Sequence, residues 1–316
     1  MPPPSVPIID IHIHTFTRET LHGYGEAYKD GATFFGQNPR SPMHVWVKEK
    51  RPIPIEETYE SLKGAGVLRA VIQNEIAFSQ TGSMLPNDFV ADYCRQFPDL
   101  FLGFCGVDPQ TPKGALYELQ RCHDELGMVG MKCHPSWLDV WPNDEELMYP
   151  IYEQLCELDM AVLFHTGTTR LTGCKIKYSM PWTIDEVATD FPDLRIILTH
   201  GGWPWCQEAL AVLWRHENVV LDLSGWMPQY LCACEPALMQ FWNSLLPDKF
   251  VFGSDYPAVA PEVWLEAFDR MHAEGFEWGG KHHTWKEGVY ENFVFYNACR
   301  FLKLDPEALL KEAGKA

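Results

Sequence analysis

The stretch that decides the fold is "PIIDIHIHTF", residues 7–16. Apolar residues alternate with Asp10, His12 and His14. Successive side chains of a β-strand point to opposite faces, so the run reads as a strand with both histidines on one face. On its own a His-x-His is a weak signal, because a buried histidine is commonly a satisfied core residue. Its meaning depends on what recurs downstream.

Seven more short β-rich runs follow: "VLRAVIQNE", "LFLGFCGVD", "MVGMKCH", "MAVLFHTG", "LRIILTHGG", "NVVLDLSG" and "KFVFGSD". Their C-terminal ends lie near Gln73, Val107, His134, His165, His200, Leu223 and Ser254, roughly 30 residues apart, the length of a βα unit. Amphipathic stretches such as "PIEETYESLKGAG" and "PEVWLEAFDRMHAEG" fill the gaps, opened by Pro and closed by Gly as helices are. Eight strands alternating with helices predict an α/β protein, a (β/α)8 TIM barrel forming a single domain over 1–316. A doubly wound sheet lacks support, because no G-x-G-x-x-G follows the first strand. The first gap is about twice the others and predicts an insertion over 16–52. It is rich in Gly, Pro and aromatics, and is read as an ordered flap over the active-site face.

Composition narrows the partners. With 25 basic and 43 acidic residues the net charge is −18, which argues against nucleic acid or an anionic membrane surface. No apolar run reaches the length of a transmembrane helix, and "MPPPSVPIID" lacks the basic and apolar regions of a secretory signal. The ten cysteines are scattered without a paired C-x-x-C framework, so reduced thiols in a cytoplasmic protein are expected.

In a TIM barrel the C-terminal strand ends carry the chemistry. His12 and His14 end the first run, His165 the fifth and His200 the sixth, and Asp255 follows the eighth. Four imidazoles and a carboxylate would converge there, a donor set suited to one divalent metal: zinc first, with manganese, iron and nickel open. Lys132 and His134 share a face at the fourth strand, where they could bind an anionic substrate group or pair with a core carboxylate. Arg170, in "HTGTTR", could hold a substrate carboxylate. Trp203 belongs to a set of loop tryptophans that could wall a pocket. Glu75 and Asp108 could contact substrate or cap loops. His22, His44, His123, His216, His272, His282 and His283 are read as loop or helix residues and carry no assignment.

The stretches "IIDIHIHTF", "GMKCHPSW", "AVLFHTG", "RIILTHGGWPW", "KFVFGSDYP" and "YENFVFYNACRFLKL" together resemble the amidohydrolase superfamily. The resemblance is to the branch that includes aminocarboxymuconate-semialdehyde decarboxylase and related metal-dependent hydrolases, and it runs from Ile8 to Leu304. It implies His12, His14 and His165 as metal ligands, Asp255 as fourth ligand or acid/base, and His200 beside the metal-bound water or substrate. Some amidohydrolases carry a carbamylated lysine where Lys132 stands, although this branch is usually mononuclear. A homodimer is compatible with the resemblance. The function expected first is a hydrolase using metal-activated water on an amide, lactone or similar bond of a small anionic substrate. The same site would serve a non-oxidative decarboxylase of a small unsaturated or aromatic acid, or a hydratase. A barrel with a purely structural metal stands furthest from the pattern, because structural sites are closed.

Overall fold

The computed structural model describes residues 5–19, 41–44, 51–82, 84–171 and 173–315. Most of the 16–52 insertion lies outside them. Eight parallel strands form one sheet in sequential order: β1 Ile8–Ile13, β2 Val67–Gln73, β3 Phe101–Cys105, β4 Gly130–Cys133, β5 Ala161–Phe164, β6 Ile196–Leu198, β7 Val219–Asp222 and β8 Phe250–Val251. Each observed end falls within a few residues of the expected one. The sequential order with helical crossovers is the (β/α)8 barrel.

β8 has only two residues, yet the chain beyond it closes the barrel against β1. Ile11 N donates to Phe252 O (3.0 Å), Asp255 N to His12 O (2.9 Å) and His14 N to Tyr256 O (2.6 Å). The seam therefore sets the carboxylate of Asp255 beside the two histidines of β1. It is reinforced from outside, where Phe252 N donates to the carbonyl of Phe293 in the π turn Asn292–Tyr296 (3.0 Å). Phe252, Trp264 and Phe293 pack around that contact, and each is fully buried. Burying a side chain of this size contributes on the order of 1.5–3 kcal/mol.

Helices Ile55–Gly64, Asn87–Gln96, Pro112–Asp124, Tyr149–Glu157, Thr183–Asp190, Cys206–Arg215 and Pro261–Glu274 occupy the stretches between strands. The hairpin Phe276–Trp278 with Lys281–His283 was not expected. It takes up His282 and His283, which the sequence reading places in a loop or helix. The described part of the insertion returns to the catalytic end. Ser41 Oγ donates to Pro257 O (3.1 Å) and Ile53 N to Phe16 O (2.8 Å). Among the described residues no helix is long and apolar enough to cross a membrane.

Candidate metal centre

Along β1 and the residue that follows it, Ile9, Ile11 and Ile13 alternate with Asp10, His12 and His14, all buried. The Nε2 atoms of His12 and His14 stand 3.2 Å apart. Asp255 Oδ1 lies 3.4 Å from His14 Nε2 and 3.7 Å from His12 Nε2. Metal–ligand bonds of about 2.0–2.2 Å would set tetrahedral ligand atoms about 3.3–3.6 Å apart, so these three fit around one ion.

Hydrogen-bond partners assign the protons. A backbone carbonyl only accepts, so the nitrogen facing it carries the hydrogen. His165 Nε2 thus donates to Thr168 O (3.1 Å), and His200 Nδ1 to Ser224 O (3.0 Å). Burial raises the Asp222 carboxyl to about 6, which leaves it ionised at pH 7, and it accepts from His12 Nδ1 at 2.9 Å. In the neutral rings, His12 Nε2, His165 Nδ1 and His200 Nε2 are therefore bare. Burial holds His12, His14 and His165 well below the ordinary imidazole range and takes His134 and His200 to about 3, so all five are neutral. Neutral imidazole is the ligating form.

The result is a local conflict. His200 Nε2 and His165 Nδ1 face each other at 3.1 Å with no proton to share. Buried lone pairs so placed repel, and a cation relieves them. The donor set therefore fits a divalent metal, with His12, His14 and Asp255 forming its tight group. His165 stands beside His200 rather than inside that group. Burial also pushes the Asp255 carboxyl up, against the pull of Lys132; a bound cation would favour its ionised form.

Backbone strain marks the two residues expected to do chemistry. His200 has φ +59° and Asp255 φ +63°, the left-handed region. Such conformations persist where the surroundings over-determine them. Here Asp222 Oδ1 holds His200 N (2.8 Å) and His12 O holds Asp255 N. A second close contact joins the loops after β5 and β6: Thr168 N donates to Trp203 O (2.8 Å), and a Cβ on Gly167 (φ +87°) would sit 2.2 Å from that oxygen. Gly167→Ala is expected to cost about 2–4 kcal/mol, read from the urea midpoint, because backbone cannot yield as a side chain does.

The other expected site residues divide. Lys132 is buried at the cluster, with Nζ 3.3 Å from His12 Nε2 and 3.5 Å from Glu75 Oε1. The core carboxylate it pairs with is thus Glu75. His134 stacks on His165 (centroids 3.9 Å) and accepts Trp137 N at Nδ1 (3.3 Å), which leaves its Nε2–H as a donor. Trp203 packs on Trp226 (4.6 Å). Arg170 is exposed on the loop after β5. Asp108 caps backbone, accepting from Ser79 N and Gln110 N. The sequence reading missed Asp222 and Ser224, whose two-residue spacing at the end of β7 repeats the His12/His14 signal.

The amidohydrolase family model matches residues 9–304. The chain belongs to the amidohydrolase family. A stretch of this amidohydrolase is 31% identical over 135 residues to a 2-keto-4-carboxy-3-hexenedioate hydratase of Sphingobium, covering 37% of this chain and 39% of that enzyme. It is 23% identical over 259 residues to a 2-amino-3-carboxymuconate-6-semialdehyde decarboxylase of Dictyostelium discoideum, covering 71% and 67%. Among solved structures it resembles a 5-carboxyvanillate decarboxylase of Novosphingobium aromaticivorans complexed with manganese and 4-hydroxy-3-methoxy-5-nitrobenzoic acid. That match has a TM-score of 0.66 and 19% identity over 95% of this chain and 96% of the other, a likeness of fold.

Proposed function

We propose that this amidohydrolase is a metal-dependent carboxy-lyase acting on a small unsaturated or aromatic acid. The observation that carries the reading is the decarboxylase relative matching most of the chain, with catalytic-end chemistry of the right kind beneath it. The hydrolase placed first by the sequence gives way on the same ground, because the relatives named above cleave carbon–carbon bonds or add water to an unsaturated acid.

His12, His14 and Asp255 would hold the ion, with His165 alongside. A divalent cation there supplies Lewis-acid charge that binds and orients an anionic substrate. Zinc or manganese suits the donors. Lys132 Nζ and the His134 Nε2–H would receive the substrate's carboxylate or adjacent oxygen. The bond from carbon to the carboxylate breaks, its electron pair stays on carbon, and carbon dioxide leaves. The ionised Asp255 would take a proton from water and pass it to that carbon, leaving hydroxide. The bare His200 Nε2 accepts a hydrogen bond from a substrate hydroxyl, which orients the ring or chain for protonation.

The test is a panel of small carboxylic acids, including 5-carboxyvanillate and 2,6-dihydroxybenzoate, offered to chelator-stripped protein and to protein reloaded with Mn2+ or Zn2+. Carbon dioxide release that disappears on stripping and returns on reloading is the expected result. Addition of one water without carbon dioxide release would select the hydratase reading, which the 31%-identical stretch favours.

A further inference from the structure

β1 supplies His12 and the turn after β6 supplies His200, but neither ring is oriented by its own strand. Both are held by Asp222 and Ser224 at the end of β7. Asp222 Oδ2 accepts from His12 Nδ1 at 2.9 Å. Its other oxygen, Oδ1, accepts three donors: His200 N at 2.8 Å, Ser224 N at 2.9 Å and Ser224 Oγ at 2.7 Å. With its proton committed to Asp222, the Ser224 hydroxyl is left as an acceptor. It lies 2.9 Å from His12 Nδ1 and 3.1 Å from His200 Nδ1, between the two rings. The Ser224 carbonyl takes the His200 Nδ1 hydrogen as well, at 3.0 Å. Asp222 and Ser224 are both fully buried.

The next residue shows how tightly this arm is fitted. Gly225 has φ +73°, and a Cβ there would stand 2.8 Å from Asp255 Oδ2 and 3.1 Å from His200 Nδ1. Gly253 leaves matching room from the β8 side, where a Cβ would meet His12 Cβ at 2.9 Å and Asp222 Oδ2 at 3.1 Å.

We propose that Asp222 and Ser224 are positioning residues that fix the Nδ1–H tautomers of His12 and His200, His12 through the Asp222 carboxylate and His200 through the Ser224 carbonyl, with the Ser224 hydroxyl between the two rings. The inference rests on the metal-dependent reading given above. It assigns the pair two effects. His12 presents Nε2 to the ion because its Nδ1 hydrogen is taken. His200 keeps a bare Nε2, which faces His165 Nδ1 at 3.1 Å, because its own Nδ1 hydrogen is taken by the Ser224 carbonyl. The coupling is mechanical: a shift of Asp222 moves the backbone nitrogen of His200 and the ring of His12 at once.

Asp222→Asn exposes the logic. Three donors surround the Oδ1 position, so the amide oxygen must sit there and the NH2 group must face His12 Nδ1. Two donors then oppose each other. The ring resolves this by moving its hydrogen to Nε2, where it can no longer ligate. Loss of an orienting partner of a metal-binding histidine typically costs 10–100-fold in metal affinity.

The experiment uses the full chain without metal. Long-range 15N correlation spectra read the tautomer of each ring directly, and calorimetric titration reads Mn2+ and Zn2+ affinity. Wild type is expected to show His12 and His200 protonated at Nδ1. Asp222→Asn is expected to show His12 protonated at Nε2 and metal bound about 10–100-fold more weakly. Ser224→Ala, a small deletion that keeps the carbonyl acceptor, guards against misfolding of the first variant. It is expected to retain the His200 tautomer and to weaken metal binding several-fold through Asp222. A wild-type spectrum with either ring protonated at Nε2 overturns the proposal, as do two folded variants that bind both metals as tightly as wild type. Neither readout depends on which reaction the enzyme performs, so carboxy-lyase activity can fail while this pair stands, or the reverse.

Discussion

Asp255→Asn is expected to lower kcat by about 1,000-fold, with the barrel intact. Asn is the least disruptive probe at this position. Asp255 sits at φ +63°, a region that Asn tolerates at least as well as Asp, and its backbone nitrogen keeps its bond to His12 O. The variant therefore removes the charge and the carboxylate that relays a proton while leaving the seam between β8 and β1 closed. Two losses combine. The amide is a poorer partner for a cation beside His12 and His14, whose Nε2 atoms lie 3.7 and 3.4 Å from Asp255 Oδ1. It also cannot hand a proton to carbon. The measurements are kcat, metal content after dialysis, and the thermal midpoint. If metal is retained and turnover still collapses, proton delivery is the larger part. A variant that keeps metal and near-wild-type turnover removes Asp255 from the chemistry.

The fold was legible because strand and helix periods alternate along the chain at βα spacing, and that spacing survives without any knowledge of contacts. The histidines of β1 were legible for a narrower reason: a two-residue period must put His12 and His14 on one face. His200 and Asp255 could be placed at strand ends, but not their left-handed backbone, which follows from bonds to residues far away in the chain. Asp222 and Ser224 carried the same spacing signal in "LDLSG". An Asp and a Ser after a strand are also ordinary turn residues, so the spacing alone does not single them out. Only the contact between Asp222 and His12, 210 residues apart, distinguishes the roles. The partner of Lys132 was hidden in the same way. Strand periodicity puts Lys132 on the barrel interior, but which neighbouring strand end answers it depends on how the closed barrel staggers its strands.

That pairing supports the second large effect. Lys132 and Glu75 have side chains 0% and 2% exposed and stand 3.5 Å apart. Lys132→Met keeps the stem and removes the nitrogen that faces the buried Glu75 carboxylate. Breaking a buried pair from one side costs about 3–5 kcal/mol. Replacing both partners, Lys132→Met with Glu75→Gln, removes both buried charges together, so most of that loss should be recovered in the urea midpoint. Activity should behave differently. If Lys132 Nζ receives the substrate's carboxylate, the double variant regains stability but stays at least about 100-fold below wild type in kcat/KM, because a charge-assisted contact in a dry site is missing in both variants. Glu75→Gln alone keeps the nitrogen and should retain far more activity than either Lys132 variant. The cycle thus separates two roles that a single substitution confounds. Recovery of both stability and activity in the double variant would make Lys132 a partner of Glu75 and nothing more, and the substrate's carboxylate would then have to be held by the His134 Nε2–H and the ion-binding group alone.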